Sequence, residues 1–139
     1  QLLIMIDKLD IVYIINSKGY GGKSLPLESK KLALRIGSIL KEKKAEDVVL
    51  LEVYPLTVIA DYFVIASGRS QIQINALYDE LTEEISNEGI ELKGTDGGKT
   101  SGWIALDYGD VIVHILKTDE RKFYDLERLW ADARAEIIQ

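Results

Sequence analysis

Apolar residues follow two rhythms along this chain. Leu32, Ile36, Ile39 and Leu40 fall three or four apart, with Lys30, Lys31, Arg35, Lys41, Lys43 and Lys44 elsewhere. That spacing predicts an amphipathic helix ending near residue 43. Ser24 can cap its start, and Pro26 is tolerated in a first turn. The cations gather near the C-terminal end, where they complement the helix dipole, and they read as a solvated face rather than a basic binding patch. Residues 48–53 (V-V-L-L-E-V) and 61–67 (D-Y-F-V-I-A-S) are short, nearly continuous apolar runs. Both read as strands buried on two faces. After the turn at residues 67–70, Ser70 is a good N-cap. Ile74, Leu77, Tyr78, Leu81 and Ile85 then make a helical stripe running to Asn87, with Gly89 as the stop. Strand, helix and return strand suggest a crossover unit against a sheet.

Residues 103–116 (W-I-A-L-D-Y-G-D-V-I-V-H-I-L) switch to the period of two. Gly109-Asp110 suits a two-residue type II′ hairpin turn. That turn sets Tyr108 opposite Val111, Asp107 opposite Ile112, Leu106 opposite Val113 and Ala105 opposite His114. Ile104 then opposes Ile115, and Trp103 opposes Leu116. One face carries Ile104, Leu106, Tyr108, Val111, Val113 and Ile115 and belongs against helices. The other carries Trp103, Ala105, Asp107, Ile112, His114 and Leu116. A large aromatic and aliphatics beside an acid and an imidazole fit a protein-binding patch. The competing reading covers this face with a helix or the N-terminal segment. Asp107 lies diagonally from His114, so a His–Asp contact is conceivable, but a surface or interface histidine is the favoured reading. Beyond the hairpin, Thr118 or Asp119 caps a last helix whose core stripe is Phe123, Leu126, Trp130 and Ala133. Tyr124, Glu127 and Arg128 fall outside that stripe, and Tyr124 is the better candidate for an external contact.

Composition narrows the chemistry. At 139 residues the chain suits one domain. It has no cysteine, which excludes disulfides, thiolate zinc sites and cysteine nucleophiles; a zinc site would have to combine the one histidine with carboxylates. Its net charge of −6 disfavours coating nucleic acid and suits a basic protein partner. Residues 1–23 read as an N-terminal extension or linker: residues 16–23 (N-S-K-G-Y-G-G-K) have loop composition. The apolar run of residues 2–6 is far below the ~20 residues of a membrane span. The segment also lacks the flanks of a signal peptide. The organised domain is expected over residues 24–139. Residues 94–102 hold four glycines, but Lys93 stands where a P-loop needs its first glycine. A flexible surface loop is the expectation there.

Three motifs carry a resemblance. D-Y-F-V-I-A-S-G-R-S (61–70), G-W-I-A-L-D-Y-G-D-V-I-V-H-I (102–115) and E-R-K-F-Y-D-L-E-R-L-W-A-D-A (120–133) occur in order and with matching spacing. From about residue 27 to 133 the chain resembles the ribosomal silencing factor family, also called Iojap or RsfS. The resemblance implies a single α/β domain, a mixed β-sheet flanked by helices and nucleotidyltransferase-like, without enzymatic activity, cofactor or metal. It implies a cytoplasmic translation repressor, a homodimer when free. Such a protein binds the large ribosomal subunit through a basic protein, ribosomal protein fourteen, and sterically blocks joining of the small subunit. Carried over by motif, the ribosomal-protein-binding residues are Trp103, Asp107, Tyr108, Asp110, His114, Arg121, Tyr124 and Glu127. The hairpin register itself places Tyr108 on the core face. An assembly role on the large subunit without silencing is the alternative. A divergent nucleotidyltransferase using Asp107, Asp110 and His114 is less favoured. Residues 67–70 could pass for a worn Gly-Ser loop, but Asp107 and Asp110 straddle a turn, and two-metal catalysis needs carboxylates converging on ions about 4 Å apart.

Overall fold

The computed structural model describes residues 27–139. The extension at 1–23, Ser24 and Pro26 lie outside the described residues. Helix α1 spans Leu27–Glu42, strands β1 and β2 span Glu46–Glu52 and Tyr62–Gly68, and helix α2 spans Gln71–Asn87. Strands β3 (Gly94–Asp96), β4 (Trp103–Asp107) and β5 (Val111–Lys117) follow, then helices α3 (Thr118–Tyr124) and α4 (Leu126–Leu129) and strand β6 (Arg134–Ile137). The strands form one mixed sheet in the order β3-β4-β5-β2-β1-β6. Only β2 and β5 pair in parallel among the described strands. The α2 segment lies on the crossover between them, as the strand–helix–strand pattern suggests.

The local signals explain the elements. Ser70 accepts the Gln73 N–H at 3.1 Å and caps α2. Gly89, at φ +83°, lies just beyond the end of α2. At Gly68 the chain passes so close to α2 that a Cβ would meet Ile74 Cγ2 at 2.8 Å, so strand and helix dock there because no side chain intervenes. The hairpin register is as its two-residue turn dictates, from Asp107 opposite Ile112 out to Trp103 opposite Leu116. Gly109 takes φ +92° at the first central position, and the Tyr108 N–H donates to the Val111 carbonyl at 2.9 Å.

Two cores result. On one side of the sheet, Ile36, Ile39 and Leu40 of α1 and Ile74, Leu77, Leu81 and Ile85 of α2 bury Leu50, Val64, Leu106, Val113 and Ile115. Each such aliphatic side chain contributes about 1.5–3 kcal/mol by leaving water. On the other side, Phe63, Ile65, Trp103, Ala105, Ile112 and Leu116 pack with Leu126 and Trp130, and with the buried Val53 and Ala60 at the edges of the β1–β2 connection.

The structure departs from the sequence expectations in several places. Neither Thr118 nor Asp119 caps α3: Lys117 holds the cap position without a side-chain bond, and the Thr118 hydroxyl donates to the Gly68 carbonyl at 3.3 Å. The last helix is not continuous: Asp125 adopts φ 50° between α3 and α4, and Asp is one of the few non-glycine residues that tolerates the left-handed region. Part of the glycine-rich segment is strand rather than loop, since β3 pairs with β4 from Gly94 opposite Asp107 to Asp96 opposite Ala105. Strand β6 gave no sequence signal; it is four exposed residues paired along β1.

Candidate functional site

The mixed face of the hairpin is covered, and this corrects the exposed-patch reading. Trp103 is 5% exposed and His114 is 0% exposed. The indole Nε1–H of Trp103 donates to His114 Nδ1 at 3.0 Å. A neutral imidazole that accepts at Nδ1 carries its proton on Nε2, and that atom has no hydrogen-bond partner. Burial pulls the His114 pKa down to about 3, so the ring is neutral at physiological pH. Asp107 does not engage it. The Asp107 carboxylate accepts the Gly109 N–H at 2.7 Å and serves the hairpin turn.

Rings connect this core to the surface in one chain. Trp130 meets Phe63 edge-on at 5.0 Å, and Phe63 meets His114 at 5.0 Å. His114 lies 5.7 Å from Trp103, Trp103 lies 4.8 Å from Tyr124, and Tyr124 meets Phe123 at 5.0 Å. The expected roles of the last two residues are exchanged. Tyr124 is half-buried against Trp103, whereas Phe123, expected in the core, is 75% exposed. The turn at Asp125 is the reason: it breaks the helical phase that would have aligned Phe123 with Leu126 and Trp130.

Arg121 is internal as well. Its Nε and Nη2 donate to both carboxylate oxygens of Glu127 at 3.1 and 2.9 Å. Its Nη1 donates to the Asp47 carbonyl at 2.7 Å and to Ser67 Oγ at 2.8 Å. The side chain is 11% exposed. One guanidinium thus ties α3 to α4 and both to the ends of β1 and β2. The would-be Gly-Ser loop is equally committed: Ser67 accepts from Arg121, Arg69 pairs with Glu46 at 2.6 Å, and Ser70 caps α2.

The eight residues named by motif therefore separate. Trp103 and His114 are buried under α3 and α4. Tyr108 is buried on the α1–α2 side, as the register required, with its hydroxyl unpartnered and its pKa pushed up to about 12 by burial. Asp110 is exposed at the hairpin turn, where its carbonyl accepts the N–H groups of Asp61 and Tyr62. Asp107 is half-exposed beside it. Arg121, Tyr124 and Glu127 gather at the opposite end of β5, whose seven residues span roughly 20 Å at strand spacing. Asp107 and Asp110 do not join His114, and among the described residues no group of three or more His, Asp or Glu side chains is placed to hold a metal ion. Sequence reasoning missed Phe123 as a surface residue; Asp125 was the available signal, as an αL-tolerant residue inside an otherwise regular helical stripe.

The family model described as "Ribosomal silencing factor during starvation" matches residues 26–139. The chain belongs to this family. A ribosomal silencing factor RsfS from Halalkalibacterium halodurans is 44% identical over 92 residues, covering 66% of this chain and 79% of the relative. A crystal structure of a Chromobacterium violaceum protein superposes with a TM-score of 0.68 at 30% identity, covering 76% of this chain and 85% of that one. A mouse protein named "Mitochondrial assembly of ribosomal large subunit protein 1" is 29% identical over 99 residues, covering 67% of this chain and 42% of that protein. Family membership carries the translation-regulation reading that the three motifs implied. Among the described residues, no helix is long and apolar enough to cross a membrane.

Proposed function

We propose that this chain is a cytoplasmic translation repressor that docks on the large ribosomal subunit through a basic protein, ribosomal protein fourteen, and sterically blocks joining of the small subunit. The observation that carries the reading is the family match over residues 26–139. The geometry supports it from a second side. The groups that could have done chemistry are engaged in holding the fold: His114 with Trp103, Arg121 with Glu127, and Asp107 with the hairpin turn. An acidic chain whose described residues bring no metal-binding group of carboxylates together suits docking better than two-metal catalysis. In this reading Asp107, Asp110, Tyr124 and Glu127 meet the partner. Trp103, Tyr108, His114 and Arg121 shape the surface from beneath. The free protein is a homodimer, and the nucleotidyltransferase-like scaffold serves as a frame without its chemistry.

Sedimentation of the purified chain with separated ribosomal subunits tests the proposal. The chain is expected to travel with the large subunit, not the small one, and to reduce their joining when added first. Subunits that join equally well with the large subunit saturated would overturn the repressor role. That result would favour the assembly reading, which the name of the mouse relative motivates.

A further inference from the structure

Four large apolar side chains are well exposed among the described residues: Val58, Ile72, Phe123 and Ile137. Single exposed apolar residues are ordinary. Phe123 differs from the others in how it is mounted. Its ring stands edge-to-face on Tyr124 at an interplanar angle of 89°, and Tyr124 in turn rests on the buried Trp103. Two residues before it, Arg121 locks α3 to Asp47, Ser67 and Glu127. Two residues after it, the αL-tolerant Asp125 turns the chain sharply from α3 into α4. Fixing an aromatic ring in water forgoes the gain of burying it, and a ring fixed before contact loses little entropy when a partner covers it.

We infer that Phe123 is the apolar anchor of the docking surface and inserts between the side-chain stems of a basic protein of the large ribosomal subunit; this rests on the docking reading above. Charge argues for that occupant. Asp119 and Glu120, four and three residues before Phe123, share its side of α3 and make the first turn acidic, and Asp125 follows two residues on; of the nearby cations Arg121 is neutralised by Glu127, which leaves Lys122 as the one exposed positive neighbour in α3. Arginine or lysine side chains suit both features: the carboxylates attract the charge, and the ring face attracts a guanidinium or ammonium group. Aromatic anchors with polar rims are the usual concentrators of binding energy.

The test uses the full chain and purified bacterial large subunits, with Kd measured by sedimentation and thermal melting measured in parallel. Phe123→Ala is expected to weaken binding about 30-fold with an unchanged melting temperature. Phe123→Leu should retain part of the affinity. Ile72→Ala, which removes an 83%-exposed side chain on α2, should bind like the unmodified chain. Binding by the unmodified chain together with a Phe123→Ala affinity within twofold of it overturns the anchor and leaves the docking reading standing. Failure of the unmodified chain to bind overturns both. If Phe123→Ala changes only self-association of the free protein, the ring belongs to a contact between copies and the proposal is wrong.

Discussion

The two sides of the sheet are built by different means. The α1–α2 side is covered by helices of 16 and 17 residues, and its interior is almost wholly aliphatic. The opposite side is covered by helices of seven and four residues and by the β1–β2 connection, and its interior sets Phe63, Trp103, Trp130 and the His114 imidazole among aliphatic residues. Long regular helices bury an aliphatic face by repetition. Two short helices cannot, so this side depends on individual contacts: the Trp103–His114 hydrogen bond, the edge-to-face rings and the Arg121 clamp. The face that looks least like a core in the sequence is the one whose burial rests on the fewest residues.

The largest expected effect separates buried from mounted aromatics on that second side. Trp130 is 1% exposed and Trp103 is 5% exposed, so replacing either by Ala should cost about 3–5 kcal/mol. Both variants should show early denaturant midpoints, while Phe123→Ala should not. A Trp103→Ala variant with the midpoint of the unmodified chain would mean that α3 and α4 leave this face open in solution. The contrast would then collapse back to the exposed-patch reading.

This contrast also marks what was legible in the sequence. The α1–α2 side could be read almost residue by residue, because Ile74, Leu77, Leu81 and Ile85 repeat at helical spacing and the glycine turn fixes which hairpin residues face them. The second side could not. Trp103 Nε1–H and His114 Nδ1 satisfy each other across a strand pair, and a polar atom satisfied by one distant neighbour has the same sequence signature as a polar atom in water. Phe123 failed for a different reason. Its periodicity was genuine, but one residue in the left-handed region at Asp125 shifted the phase, and stripe counting assumes an unbroken helix. Of the residues named by motif, the hairpin register alone put Tyr108 on the core side and Asp110 in the turn.

A smaller effect sharpens the comparison by pH, with opposite signs on the two sides. His114 has a folded pKa of about 3 against roughly 6.5 when unfolded. The unfolded chain therefore takes up the proton first, and stability falls as pH drops below 6.5. The slope is roughly 1.4 kcal/mol per pH unit, or about 2 kcal/mol between pH 7 and pH 5. On the helix-covered side, Tyr62 and Tyr108 are both raised to about 12 by burial. Their unfolded forms ionise near 10, so stability is full below pH 10 and falls as pH rises toward 12. Urea titrations across pH should show both limbs. His114→Phe should flatten the acid limb between pH 6.5 and 5. Tyr108→Phe should weaken the alkaline limb at little cost at neutral pH, because the hydroxyl it removes has no partner. Acid sensitivity unchanged by His114→Phe would show that His114 is not the neutral buried group described.

The smallest effect belongs to the rim. The Asp110 side chain is exposed, and the work its residue does for the fold is done by its carbonyl, which accepts the Asp61 N–H at 2.7 Å and the Tyr62 N–H at 3.1 Å. Asp110→Asn keeps that carbonyl and suits the same turn position, so stability should change by no more than about 0.5 kcal/mol. What changes is the field met by an approaching basic partner. Rim charges act mainly on the encounter rate and are screened over a Debye length of ~8–10 Å at physiological to 0.1 M salt. The variant should therefore associate about two- to threefold more slowly with the large subunit at low salt and nearly normally at physiological salt, with an unchanged dissociation rate. Stopped-flow association at two ionic strengths separates these outcomes. A loss confined to the dissociation rate would place Asp110 inside the contact with a desolvated carboxylate. The hairpin turn, and not the α3–α4 side of the molecule, would then be the centre of the docking surface.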